Sequence, residues 1–280
     1  MMPDRDGHDD GLLLSVIDAL PPITLDALNG LAALQTRVDR KYLVAADVAD
    51  RALRAVAERL AVLDIDGTRS FRYDSLYFDT PELTSYRAAA TRRRRRFKVR
   101  VRRYVDAGSC TLEIKTRGGR GETVKTRFDH QAECIDALDP DAQRCIDLVL
   151  GAEPMAHRLQ PVLWTTYLRS TLVDVADRSR ITLDRRLAAS LVGPAAHWRS
   201  LTDEVVIETK SDAGATPLDR ALWAAHVRPI SISKFAIGMA AHHPELPSNR
   251  WSRVIRHHVE QSSPECAGEP VLAPAAVSPR

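Results

Sequence analysis

The sequence predicts an α+β domain, with about seven or eight antiparallel strands as its body and helices flanking them. Three observations predict it. Strand-length runs follow one another closely, with glycine-bearing turns between them. Within these runs apolar and polar residues alternate, so each strand has one face of each kind. Other segments repeat their apolar residues at helical spacing, and there is no GxGxxG, no P-loop and no repeat of about 20–50 residues. The 280 residues suffice for a buried core, and 44% hydrophobic with 28% charged residues excludes a disordered or membrane-spanning chain. No apolar run approaches the roughly 20 residues of a bilayer span.

The elements follow in order. Residues 1–30 form an N-terminal segment whose start, MMPDRDGHDD, is acidic and unlike a secretory signal. It ends in a short helix over Leu25–Leu31, with Thr24 as N-cap. Thr36–Val44 reads as a strand, and Asp47 caps a helix whose periodicity runs through Leu63. Ser70–Asp79 alternates and stops at the Thr80-Pro81 turn, before a short helical stretch over 81–90. Phe97–Val105, Thr111–Arg117 and Thr123–Phe128 make a meander, turned at Gly108-Ser109 and Gly118–Gly121. A helical segment over about 131–150 precedes strands at Pro161–Val175, Arg180–Leu187 and Asp203–Lys210. Helices over 217–227 and from Ser233 close the domain, which spans 31–243. Residues 244–280 hold six of the 16 prolines and read as a largely disordered tail.

The charge is uneven. Residues 87–127 contain 15 Lys+Arg against three acids, so this stretch carries +12 and the rest −9. That asymmetry points to a polyanionic partner. Alternation then sorts the charges: Lys98, Arg100 and Arg102 share a strand face, as do Glu113 and Lys115, Lys125 and Arg127, and Glu208 and Lys210. Arg37 with Lys41, and Arg180 with Asp184, repeat the scheme. If the sheet curls with these faces inward, it becomes a basic tunnel with a few acids, which needs an anion to fill it. Arg92–Arg96 precedes a strand and reads as a solvated collar that steers polyanions. Aromatics are 5% of the chain and do not interleave with the basic residues, so no nucleic-acid partner is expected. The nine histidines form no metal-binding spacing, and His242-His243 and His257-His258 read as surface pairs. Four scattered cysteines without a CxxC imply neither a zinc knuckle nor a disulfide framework, and a reducing, cytoplasmic setting.

Nine segments in series (RVDRKYLV, YDSLYFDT, FKVRVRRY, LEIKTR, TVKTRF, YLRSTL, RITLDRRL, VVIETKS and SISKFAIGM) resemble the VTC domain of the vacuolar transporter chaperone complex, within the triphosphate tunnel (CYTH-like) superfamily. The resemblance implies an antiparallel β-barrel tunnel with flanking helices and synthesis of inorganic polyphosphate from ATP. It also implies a divalent metal, manganese or magnesium, as cofactor and a membrane-protein partner for product export. It casts Arg100, Arg102, Lys115 and Lys234 as catalytic. Arg37, Lys41, Lys125, Arg127, Tyr167, Arg169, Arg180 and Lys210 would bind substrate, and Glu208, Glu113 and Asp184 would bind metal. Two departures stand out: Arg37 replaces the first glutamate of the ExExK motif of tunnel hydrolases, and Ser231 replaces a lysine common in the family. A tripolyphosphatase or nucleoside triphosphatase, and a non-catalytic polyphosphate-binding module, are the competing functions.

Overall fold

The computed structural model describes residues 5–31, 38–117, 123–131, 135–151, 154–193, 196–202, 204–212 and 214–259. In chain order the elements are α1 (Arg5–Ala19), β1 (Pro22–Ile23), α2 (Leu25–Leu31), β2 (Val38–Val44), α3 (Ala46–Arg54), β3 (Leu60–Leu63), β4 (Phe71–Asp79) and α4 (Thr84–Ala90). Then come β5 (Arg96–Tyr104), β6 (Ser109–Arg117), β7 (Thr123–His130), α5 (Pro140–Leu150), β8 (Gln160–Asp174) and β9 (Ser179–Leu191). The described chain ends with β10 (Arg199–Thr202), β11 (Val205–Ser211), α6 (Pro217–Ala224), α7 (Lys234–His242) and α8 (Ser252–Val254).

Eight strands form one curled antiparallel sheet in the order β2-β11-β9-β8-β4-β5-β6-β7, with β1, β3 and β10 as side branches. Among the described residues no ladder joins β7 to β2, so the curl is open along that seam. The two faces of the sheet divide as alternation requires. The convex face is apolar and lies under helices. Tyr42, Val44, Ile181, Leu183 and Ile207 pack with α1, α3 and α6, while Leu76, Val99, Val101, Leu112 and Ile114 pack with α5. Asp219 on α6 ties this layer to the sheet, accepting hydrogen bonds from Tyr42 and Thr209, both at 2.7 Å.

The concave face is apolar at one end only. There α7 enters the curl, with Phe235 through Ala241 buried against Leu43, Tyr77, Leu163, Tyr167 and Val206. A helix that is apolar all round belongs inside a core, and this one plugs the barrel. Gly238 permits the close approach: a Cβ there would lie 2.7 Å from Leu163 Cδ2 and 3.2 Å from Ala189 Cβ. Leu163 is itself fully buried and has no room to yield. Gly238→Ala should therefore destabilise by about 1–3 kcal/mol through overpacking. A denaturant midpoint equal to that of the parent would show that α7 is not seated this tightly.

Four regions differ from the sequence reading. The helix expected to run through Leu63 stops at Arg54, and Leu60–Leu63 forms β3 instead. All four residues are buried, and β3 pairs with the far end of β8, so tertiary pairing overrides the local helical pattern. The N-terminal segment contains α1, whose Leu13, Val16 and Ile17 are buried with α3. Residues 244–259, assigned to the tail, are folded. Leu246, Trp251, Val254, Ile255 and Val259 join the α7 cluster. The expected helix over 131–150 begins at Pro140, where Asp139 caps it by accepting from Ala142 N at 2.7 Å.

Candidate functional site

The inward faces of all eight strands enclose a cavity of about 580 Å³, bordered at one end by Ser233 and by Lys234 of α7. Each strand presents polar side chains by the same two-residue period that turns its apolar side outward to the helices. Of the residues singled out in the sequence, Arg100, Arg102, Glu113, Lys115, Lys125, Arg127, Tyr167, Arg169, Arg180, Glu208, Lys210 and Lys234 line this cavity. Asp184 and Lys41 lie beside it, ion-paired to Lys234 and Glu208. Arg37 falls outside the described residues.

Three carboxylates organise the cations. Glu113 on β6 accepts from Arg100 Nε at 2.7 Å, Lys125 Nζ at 2.5 Å and Arg127 Nε at 3.3 Å, gathering three strands around one acid. Burial would raise its pKa, but Arg100, Arg102 and Lys125 outweigh that and hold the carboxyl well below the usual range. Asp184 on β9 takes both prongs of Arg169, at 2.5 and 2.7 Å, and Lys234 Nζ at 2.5 Å. Against the opposing effect of burial, these cations lower its pKa to about 2. Glu208 on β11 accepts from Lys41 at 2.5 Å, with Lys210 at 3.5 Å, and is likewise held low despite burial. Tyr73 and Tyr77 orient arginines. Arg100 donates to the Tyr77 hydroxyl at 2.9 Å, and Arg102 and Arg169 lie 5.3 and 5.2 Å from the Tyr73 ring centroid.

One row consists of three lysines, of which Lys125 is ion-paired to Glu113 at 2.5 Å. Lys98, Lys115 and Lys125 are direct cross-strand partners on β5, β6 and β7. Like charges placed directly opposite destabilise a sheet, so such a row needs an anion as its counterpart. Lys98 was read as lying on the basic face but was given no role. Burial, then Lys115, Arg100, Arg250 and Lys41, push its pKa down to about 7. Its ammonium donates to the Ser233 hydroxyl at 2.6 Å. The buried hydroxyls of Tyr167 and Thr182 also line the cavity, without a hydrogen-bond partner among the described residues. Below a pH of about 7 Lys98 carries its charge, and above it the free protein loses that charge. A phosphate chain favours the charged form, so binding takes up a proton as pH rises. Tripolyphosphate affinity should fall through this range and flatten in Lys98→Met, as calorimetry in buffers of different ionisation enthalpy would detect. A parent profile identical to that of the variant would remove Lys98 from the anion site.

The acids were expected to bind metal, and among the described residues no three His, Cys, Asp or Glu side chains converge on one point. A hard cation that shares phosphate oxygens needs only one or two carboxylates. Glu208 fits that role. Its side chain is 15% exposed against 2% for Glu113 and Asp184, and one of its oxygens is held only loosely.

A family model described as the VTC domain matches residues 36–243. The chain belongs to the VTC domain family. The curled eight-strand sheet with inward basic faces is the tunnel fold expected of this family. Among solved structures, HpAC1 from Hippeastrum, which has a dominant triphosphatase activity, aligns at 13% identity and a TM-score of 0.47, over 73% of this chain and 96% of its own. Protein PH1819 from Pyrococcus horikoshii OT3 aligns at 14% identity and a TM-score of 0.40, over 74% and 98% respectively. No curated protein matches the chain. Among the described residues, no helix of this VTC domain is long and apolar enough to cross a membrane. The position where the family commonly has a lysine, Ser231, is also occupied by charge: Arg250 Nη2 donates to its hydroxyl at 2.9 Å. Sequence reading had no means of finding Arg250, which lies in the proline-rich segment, distant in sequence from every tunnel strand.

Proposed function

We propose that this VTC domain is a polyphosphate polymerase, transferring the γ-phosphoryl group of ATP to a phosphate or polyphosphate acceptor inside the tunnel. The observation that carries this reading is the Lys98–Lys115–Lys125 row, in which Glu113 pairs with Lys125, beside arginines already oriented by Glu113 and Asp184. Phosphoryl transfer asks the protein chiefly for alignment and charge stabilisation. Here Arg100, Arg102 and Arg169 would grip phosphate oxygens with two-pronged contacts, and the lysines would add point charges. Fixing them on carboxylates and tyrosine rings beforehand removes the reorganisation that free side chains would undergo. Glu208 would hold a manganese or magnesium ion, whose chemistry is to neutralise charge on bridging phosphate oxygens.

The state of the three carboxylates argues against their serving as a base for attack by water. Attack by water is assisted by a base whose pKa lies near the operating pH. Asp184 is held at about 2, and Glu113 and Glu208 are also held low by their cations, so none is suited to that task. An acceptor phosphate is already anionic and needs no such base. Purified protein with ATP and manganese should yield a ladder of long polyphosphate on a gel. Orthophosphate release without a ladder would assign the tunnel to hydrolysis, and tight binding without turnover would make it a sensor.

A further inference from the structure

Outside the tunnel, beside the start of α7, lies a second cavity of about 160 Å³. Its charged lining is Arg96, Lys98, Lys115, Arg117 and Arg250, and no carboxylate lines it among the described residues. Lys98 and Lys115, with Ser233, line both cavities, so the two spaces meet at these residues. The β5–β6 ladder shows how the charge changes along this path. Arg100 faces Glu113, the next inward pair is Lys98 and Lys115, and the next is Arg96 and Arg117. The tunnel thus runs from an acid-balanced zone into two successive rows of opposed cations.

Arg250 extends those rows from a different part of the chain. Its guanidinium donates to Ala89 O at 3.2 Å and to Ser231 Oγ at 2.9 Å, and it lies over Trp251, which is buried. It is therefore a placed group rather than a loose surface charge. Burial comes first, then Arg92 and Arg117, in lowering its pKa. Arg96 is lowered similarly by burial, Arg117 and Arg250. Cations gathered this closely attract an anion. The pocket is continuous with a phosphate-sized tunnel and Arg250 covers the Trp251 ring, so the chemistry that fits is more phosphate, not a nucleobase.

We propose that Arg96, Arg117 and Arg250, together with Ser231, form a second phosphate subsite that takes the distal phosphates of a chain already threaded through the tunnel. This rests on the tunnel's being a phosphate-chain site, and it adds a basis for selecting long polyphosphate over tripolyphosphate. The longer chain fills both cavities at once, whereas the short one gains nothing from the outer pocket once the tunnel holds it.

The test compares the full chain with Arg250→Gln and Arg96→Gln, which come from separate elements. Calorimetric affinities are measured for tripolyphosphate and for size-fractionated long-chain polyphosphate, each at two salt concentrations. Each substitution should weaken the long chain about tenfold, as loss of a charged hydrogen-bonding contact does. Each should also reduce the salt dependence of long-chain binding and leave tripolyphosphate affinity and melting temperature unchanged. Equal losses for both ligands, or an unchanged long-chain affinity in both variants, would overturn the subsite. Failure of the parent protein to bind either ligand would overturn the tunnel reading and the subsite with it.

Discussion

Lys234→Ala is expected to lower turnover by roughly 10²-fold or more, as removal of a charge contact made in the transition state does, while ATP still binds. Lys234 is the first residue of α7, and the Ser233 side chain caps the helix by accepting from Ala236 N at 3.4 Å. The capped start fixes where the lysine stem leaves the backbone. Its ammonium sits 2.5 Å from Asp184 Oδ2 and 4.5 Å from the Tyr167 ring centroid, at the end of the tunnel bordered by α7. The Tyr167 hydroxyl there has no hydrogen-bond partner among the described residues. Arg100, Arg102 and Arg169 stay in place in the variant and continue to hold the triphosphate. Asp184 keeps both prongs of Arg169, so the fold should survive. The loss should therefore appear in kcat, with the calorimetric Kd for ATP little changed. Near-normal turnover would place the chemistry elsewhere along the tunnel.

How much of this was legible in the sequence depended on how local each signal was. The inward face of β5 could be read because alternation is a property of neighbouring residues: Arg100 and Arg102 must point together if Val99 and Val101 are buried. The pairing of those charges could not be read. Whether Arg100 meets Glu113 or Lys115 is set by strand register, and one residue's slip would exchange faces. Lys98 illustrates the gap: its place on the basic face was evident, but its confrontation with Lys115 emerges only from the ladder. The expected helix through Leu63 failed for the opposite reason. A regular apolar period persisted into residues that the far end of β8 claims as a partner strand. Arg250 left no signal, because nothing local links it to Arg96 or Ser231. The acids expected to bind metal lie in or beside the cavity, but sequence could not show that each would be claimed by cations.

Asp184→Asn should cost about 3–5 kcal/mol of folding stability, the range for breaking one side of a buried ion pair. For a chain of this size that corresponds to a melting-temperature loss on the order of 10 °C. Asp184 is 1% exposed, and it is the shared counter-ion of Arg169 and Lys234, whose side chains are 13% and 15% exposed. Asparagine keeps the shape but leaves two largely buried cations without their charge partner. The pH dependence has a definite sign. The folded-state pKa is depressed from 3.8 to about 2, so this contribution is present above the unfolded value and is lost as pH falls through that interval. The parent should therefore lose stability on acidification more steeply than Asp184→Asn. A phosphate chain would replace the missing negative charge, so tripolyphosphate should raise the variant's melting temperature by more than the parent's. This separates a counter-ion from a metal ligand. If Asp184 served only to bind a cation, the metal-free variant would melt with the parent, and the deficit would appear solely in metal affinity. Equal melting temperatures without ligand would thus remove Asp184 from the framework that holds Arg169 and Lys234 in place.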